Sequence, residues 1–350
     1  MSTMRDVAAL AGVSAKTVSR VMNNDRYVSD DVRTRVLRAV ADLNYVPNAL
    51  ARTFRSGRDA AIGLAVPDIG DPFFASVARA IEKTARQRSV AVFVTSLGGA
   101  AEDEQAAVEA LLSRQIVGLV IAPVAADQTY LQPWLSRLAV MFIDRPPVGL
   151  KAESVVEDDF GGAKRATSHL IGHGHRRIAM AADSLQIPTT ARRLGGYRSA
   201  LAEAGLPYDD DLVVVLGSDD GVATEQTLVA SLGQADPPTA VLSSNARSSI
   251  EIVPILHRLG RSDVALVSFG DFPMADTLAP AVTVVDQDPL RLGGVAATRL
   301  FERVDRPDLR HRRQVVLPVE LVVRESCGCA RVPVAGGTAP TTRRPARSRT

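Results

Sequence analysis

The chain opens with two short apolar-periodic segments. Val7, Ala8, Leu10 and Ala11 mark the first, Val18, Val21 and Met22 mark the second, and Gly12-Val13-Ser14 lies between them. The spacing predicts helix, tight turn, helix. Gly12 suits the left-handed backbone that turns a chain sharply. Ser14 suits the cap of the second helix, and Thr3 followed three residues later by Asp6 resembles a capping box at the start of the first. A third amphipathic stretch, SDDVRTRVLRAVADLNY, predicts a helix capped by Ser29, with Val32, Val36, Leu37, Val40 and Leu43 as its buried stripe. Three short helices make a small core of their own.

After RSGRD at 55–59 the rhythm changes. Short apolar runs (AIGLAV, VAVFVT, IVGLVIAP, AVMFID, RIAMAA, LVVVLG, TAVLSS and VALVSFG) read as buried parallel strands. They alternate with helical spacing over 73–88, 103–114, 159–172, 192–204, 222–232, 246–259 and 290–304. This repeated β-α succession predicts an α/β body behind the helical head.

The length of 350 residues, 46% of them hydrophobic, suits two or three domains. No apolar run of about 18 residues is present, so no membrane span is expected. Asp6 interrupts what would be the apolar region of a secretory signal, which makes the cytoplasm the expected location. The net charge of +2 hides an asymmetry: residues 1–58 carry +5, residues 59–326 carry −8, and residues 327–350 carry +5. A basic head on an acidic body fits attraction to phosphate at one module. The Pro-, Gly-, Thr- and Arg-rich stretch 327–350 lacks a hydrophobic pattern and reads as a disordered basic tail.

Candidate chemistry is sparse. No G-x-G-x-x-G follows the first strand, and no G-x-x-x-x-G-K-[ST], G-x-S-x-G or H-E-x-x-H occurs. Cys327 and Cys329 form a C-x-C pair with too few ligands for a structural zinc site, and read as surface thiols. His169, His173 and His175 lack an adjacent catalytic acid and read as a solvated helix end. No enzyme, metal or cofactor is expected. The second helix is more telling. If its valines face inward, Ala15, Lys16, Ser19 and Arg20 face outward near its N-terminus, where lysine or arginine can donate to guanine O6 and N7 in the major groove. The plain alternative is an ordinary helical hairpin.

Head and body together resemble the lactose-repressor (LacI/GalR) family of bacterial transcription regulators. The motifs in series are DVAALAGVSAKTVSRVMN, VSDDVRTRVLRAVADLNYVPNALAR, IGLAVPDIGDPFF, VVEDDFGGAKRATSHLIGHGHRRIA, RRLGGYRSALAEAG and VSFGDFPMADTLAPAVTVVDQDPLRLG, covering 3–326. The resemblance implies a helix-turn-helix DNA-binding head over 1–46 and a hinge over 47–58. It also implies a body over 59–326 of two doubly wound parallel-sheet lobes, like a periplasmic binding protein, with a small effector in the cleft between them. It further implies a homodimer reading an inverted-repeat operator in double-stranded DNA. Without a heptad run at the C-terminal end, no coiled-coil tetramer is expected.

The same resemblance assigns residues. Ala15, Lys16 and Arg20 match base-reading positions, whereas Thr3, Ser14, Thr17, Ser19, Asn23 and Tyr45 suit phosphate or scaffold roles. The hinge holds Asn48, Ala51, Arg52 and Phe54, with Phe54 where the family places a leucine that wedges into the minor groove. Packing of Phe54 between head and body is the alternative. Arg193 and Asn245 match ligand-binding positions, and Asp71, Phe73, Asp144, Asp271 and Gln287 match cleft-lining stretches. Phe73 suits core packing equally, and Asp144 suits an ion pair with Arg145. Two departures alter the expected recognition of a sugar-like effector: the chain reads SFGD where GFDD is common, and Ala246 follows Asn245 where an acid is common. The rival functions are a small-molecule-binding module without operator binding and an enzyme built on the α/β body.

Overall fold

A computed structural model describes residues 4–22, 28–43, 61–99, 101–114, 116–216, 221–306, 309 and 312–328. The chain divides into a first compact unit ending at Ala61 and a second holding nearly all that follows.

In the first unit, α1 (Met4–Ala11), α2 (Ala15–Met22) and α3 (Asp30–Asp42) enclose Val7, Ala8, Ala11, Val18, Val21, Val36 and Ala39. Gly12 takes φ 64° at the turn, where the Val13 amide donates back to the Ala8 carbonyl at 3.0 Å. Ser14 Oγ accepts from the Thr17 amide at 3.1 Å, capping α2. Leu10 and Leu37, expected inside, are 55% and 50% exposed. At about 100° per residue each lies roughly a quarter turn off the buried stripe of its helix, set by 7, 8 and 11 in α1 and by 36, 39, 40 and 43 in α3. The fully buried part of this core is alanine and valine among the described residues, with Leu43 packed partly buried against it.

The second unit contains two six-stranded sheets. The first has strand order β11-β5-β4-β3-β1-β2, with β1 (Ala61–Val66), β2 (Ala91–Ser96), β3 (Gly118–Ile121), β4 (Ala139–Ile143), β5 (Glu153–Glu157) and β11 (Gln314–Leu317). The second has the order β12-β10-β9-β8-β6-β7, with β6 (Ile178–Ala182), β7 (Val213–Val215), β8 (Ala240–Ser243), β9 (Ala265–Phe269), β10 (Thr283–Asp286) and β12 (Glu320–Val322). Pairing is parallel except for the β10–β12 edge. Burial on both faces explains the unbroken apolar runs of the central strands, whereas the edge strand β2, expected to be buried, leaves Ala91, Phe93, Val94 and Ser96 exposed. Along β6, Ile178 and Met180 enter one cluster with Tyr197 and Phe269, while Ala179 and Ala181 enter another with Ile252 and Leu266.

Helices α4 (Pro72–Gln87), α5 (Ala101–Leu112), α6 (Asp159–Gly172), α7 (Pro188–Glu203), α8 (Gly221–Leu232), α9 (Ala246–Arg258) and α10 (Pro289–Asp305) fall close to the spans expected from apolar spacing. The largest difference is α7, which starts one turn early because Pro188 suits the first helical position. The chain crosses between lobes after β5, after β10 and after β11, so each lobe contains non-consecutive segments.

Cys327, expected at the surface of a disordered tail, is fully buried in the second lobe. Backbone pairing after β12 carries it there. Leu266 N–H donates to Ser326 O at 2.7 Å, and Ser326 Oγ accepts from Thr283 N–H at 2.9 Å while donating to Leu266 O at 2.6 Å. The ordered body thus runs to at least Gly328. Residues 329–350, with Cys329, and the stretch 44–60 lie outside the described residues.

Because a Cβ at residue 12 would have to adopt a left-handed conformation, Gly12→Ala is expected to weaken the head by about 1–2 kcal/mol. Hydrogen exchange resolved by segment should show faster exchange across α1–α3 and unchanged protection in β6–β10.

Candidate functional site

Two places carry the chemistry expected of the chain. In the head, burial of Val18 and Val21 turns the opposite side of α2 to solvent, where Ala15, Lys16 and Arg20 are exposed. Ser14 and Thr17 are committed to the cap, their hydroxyls 2.9 Å apart, so they hold the helix start as well as facing outward. Thr3, Asn23, Tyr45, Asn48, Ala51, Arg52 and Phe54 lie outside the described residues, and of Ser19 only the helical backbone is described.

In the body, a cavity of about 70 Å³ opens between the lobes at the carboxyl ends of the parallel strands. Asp71, Phe73, Asp144, Arg193, Asn245 and Gln287 line it together. Helix starts account for part of this convergence: Asp71 Oδ1 caps α4 through the Phe73 amide at 2.8 Å, and Asn245 Oδ1 caps α9 through the Ser248 amide at 2.8 Å. Phe73 meets Phe74 edge to face at 5.0 Å, and both rings line the cavity. Asp144 sits at φ 62° and pairs with Arg145 at 3.1 Å, while Arg145 Nη1 donates to Pro123 O at 2.9 Å.

Asp271 is the exception. Its carboxylate pairs with Arg324 at 2.5 Å and caps its own loop through the Phe272 amide at 2.9 Å, and it does not line the cavity. The preceding Gly270 takes φ 97°, and a Cβ there would stand 2.9 Å from Gln287 Oε1 and 3.3 Å from Ala246 Cβ. Gln287, which lines the cavity, thus occupies the space that an acid at 270 would need.

Arg193, expected to aim at a ligand, is held on several sides. Nε donates to Asp159 Oδ1 at 2.8 Å, Nη1 donates to Ser244 O at 2.6 Å, and the guanidinium lies 3.9 Å from the centroid of the Phe269 ring. Sequence reasoning missed Asp159 and its neighbour Glu157. Asp159 Oδ2 and both Glu157 carboxylate oxygens are buried without a hydrogen-bond partner. Burial raises the Asp159 pKa to about 6 against the lowering pull of Arg193, and it raises Glu157 well above the ordinary carboxylate range, reinforced by the charges of Asp144 and Asp159. Burial likewise raises Asp71. Asp183, which accepts from Thr190 Oγ1 at 3.0 Å, Ile187 and Thr189 also line the cavity. Ile187, Thr189 and Thr190, at the start of α7, would have been found had the helix been extended back to Pro188, whereas Asp183 lies in the loop after β6.

The family model for bacterial regulatory proteins of the lacI family matches residues 3–48, and that for a periplasmic binding protein-like domain matches 167–327. The ribose operon repressor of Haemophilus influenzae is 31% identical over 334 residues, spanning 93% of this chain and 98% of that protein. The chain belongs to the lacI family. The transcriptional repressor PurR of Pasteurella multocida is 29% identical, again over 93% and 98% of the two chains. The lac repressor dimer bound to operator and the anti-inducer ONPF superposes with a TM-score of 0.79 at 25% identity, covering 93% of this chain and 99% of that one. This lacI-family chain is a DNA-binding transcriptional repressor that responds to a small-molecule effector, and not an enzyme.

The raised carboxylates give a pH signature. Both folded pKa values lie above the unfolded ones, so each contribution to stability is full below about pH 4; that of Asp159 is lost as pH rises through about 6, and that of Glu157 as pH rises past the ordinary carboxylate range. Glu157→Gln, neutral at every pH, should therefore melt above wild type at pH 8 by a few degrees, with the gap closing towards pH 4. Melting curves of both proteins across that range check it; a constant gap would mean that Glu157 does not titrate upward.

Proposed function

We infer that the protein acts in the cytoplasm as a homodimer whose two heads read an inverted-repeat operator, and that a sugar-like metabolite in the inter-lobe cleft controls operator affinity. One observation carries the DNA reading: the Ser14-capped α2 exposes Ala15, Lys16 and Arg20 along its first turns while its valines are buried. Lys16 and Arg20 are suited to guanine edges and Ala15 to a thymine methyl. Thr3, Ser14, Thr17, Ser19, Asn23 and Tyr45 are assigned to phosphate or scaffold roles, and Asn48, Ala51, Arg52 and Phe54 to a hinge entering the minor groove.

The cleft supports the effector reading through its polar lining: Asp71, Asp144, Asp183, Arg193, Asn245 and Gln287 offer several acceptors and donors to a hydroxylated ligand. With about 70 Å³ inside, the cleft is smaller than the roughly 300–1,000 Å³ of a typical ligand pocket, so binding of a metabolite is expected to part the lobes. Arg247 and Asp68 pair across the cleft mouth at 3.8 Å with both side chains about half exposed, a contact weak enough to open. A ligand preferring one lobe arrangement a hundredfold shifts the equilibrium by about 3 kcal/mol, enough to switch operator occupancy. The ribose operon repressor among the relatives favours a sugar-like effector.

Selection of DNA from a random library by the full-length protein should enrich an inverted repeat bound about a thousandfold more tightly than scrambled DNA. On that operator, Lys16→Ala should relax discrimination at one base pair per half-site by about 1–3 kcal/mol. Gln287→Ala, which trims a cavity-lining side chain and leaves the Arg193–Asp159 pair in place, should keep operator affinity and weaken the response to the metabolite found by screening. Uniform, salt-sensitive binding with no enriched repeat, in the presence and absence of metabolite extracts, would overturn the reading.

A further inference from the structure

Two features that the sequence keeps 150 residues apart meet in the second lobe. His169, in the last turn of α6, and His173, which ends that helix, stand one turn apart with their rings 4.6 Å centroid to centroid, edge to face. The segment after β12 brings the buried Cys327 against them. One ring nitrogen of each histidine and Cys327 Sγ all lie within 4.8 Å of one another. Among the described residues no other histidine, cysteine or carboxylate group of three is so placed.

We propose that His169, His173 and Cys327 form a binding site for a borderline-soft divalent transition metal, with zinc as the reference ion. Two imidazoles and a thiolate are a donor set that such ions prefer over magnesium or calcium. Tetrahedral zinc needs ligand atoms about 3.3–3.8 Å apart, so separations of up to 4.8 Å must close by about an ångström at most on binding, and the exposed His173 side chain has room to move. Neither histidine alone nor the cysteine alone makes the site; the i, i+4 spacing on α6 and the stitched C-terminal segment make it together.

The protein around the site fixes its parts. Cys327 is held by the backbone pairing of Ser326 with Leu266 and by a hydrogen bond between His175 and the Cys327 backbone, while His175 Nδ1 meets Thr239 Oγ1 at 2.9 Å. On binding, the thiol proton leaves to solvent, the Sγ contact to Arg324 O at 3.6 Å is given up, and a sulfur–metal bond forms. The fourth position falls to water. The metal would then clip the C-terminal segment to α6, a function outside both the operator and the effector site.

The test uses the full-length protein stripped with chelator and titrated with Zn²⁺ and with Co²⁺. One ion per chain is expected, with thiolate-to-cobalt charge-transfer absorption and a rise in melting temperature of several degrees at saturating zinc. His173→Ala changes an exposed residue and leaves the core intact; it should lower affinity at least tenfold. Cys327→Ser should abolish the charge-transfer band. Cobalt binding without a charge-transfer band, a band that survives in Cys327→Ser, or affinity unchanged in His173→Ala would overturn it. Operator binding plays no part in the measurement, so its failure and that of the regulator reading are separable.

Discussion

The body depends on a buried ion pair at a lobe crossing. Asp159 begins α6 directly after the chain leaves β5 of the first lobe, and Arg193 of α7 grips it inside the second while also meeting Ser244 O and the Phe269 face. Desolvating both charges is costly, and the attraction roughly offsets that cost only because the guanidinium has a partner on several sides. Removing one member leaves the other buried and unpaired. What the pair contributes is position: it fixes where the crossing enters the second lobe, and hence where the cavity walls stand.

Around this pair the cleft is assembled from groups with two uses each. Asp71 and Asn245 cap helices and line the cavity, and Asp144 combines an ion pair with a left-handed backbone at the end of β4. Capping makes these side chains rigid before any ligand arrives, which lowers the ordering cost of recognition. Glu157 and Asp159, with oxygens left unpaired in the interior, keep the closed arrangement less favourable than a satisfied core would make it. A cleft with such groups and with only about 70 Å³ inside is suited to respond to a ligand by changing arrangement.

Much of this was legible in the chain. Helix spans followed from apolar spacing, and eight strands followed from unbroken apolar runs, which central strands need because they are buried on both faces and which the exposed edge strand β2 shares without that reason. The remaining strands, β5, β10, β11 and β12, are three to five residues long and bordered by charge or glutamine, as in ESVVE and QVVL, so periodicity had little to act on. Those short strands include the crossings. Their omission explains why Asp159 was missed, why Asp271 was assigned to the cleft rather than to Arg324, and why Cys327 was read as a surface thiol. The metal-ligating residues were visible as separate motifs, but their meeting is a tertiary fact. Among the described side chains, the small core of the head was read correctly except at Leu10 and Leu37, where an apolar residue was assumed to be buried.

The central claim is that the cleft and the DNA-reading head are energetically linked. Linkage is reciprocal, so DNA bound at the head must alter the cleft even when no effector is present. Hydrogen exchange of the full-length protein, with and without a saturating selected operator, measures this directly at the amides of 158–163 and 244–249. The account predicts a change in protection at these cleft segments that scrambled DNA does not produce. Identical exchange with both DNAs, alongside protection in α2 that confirms binding, would contradict it.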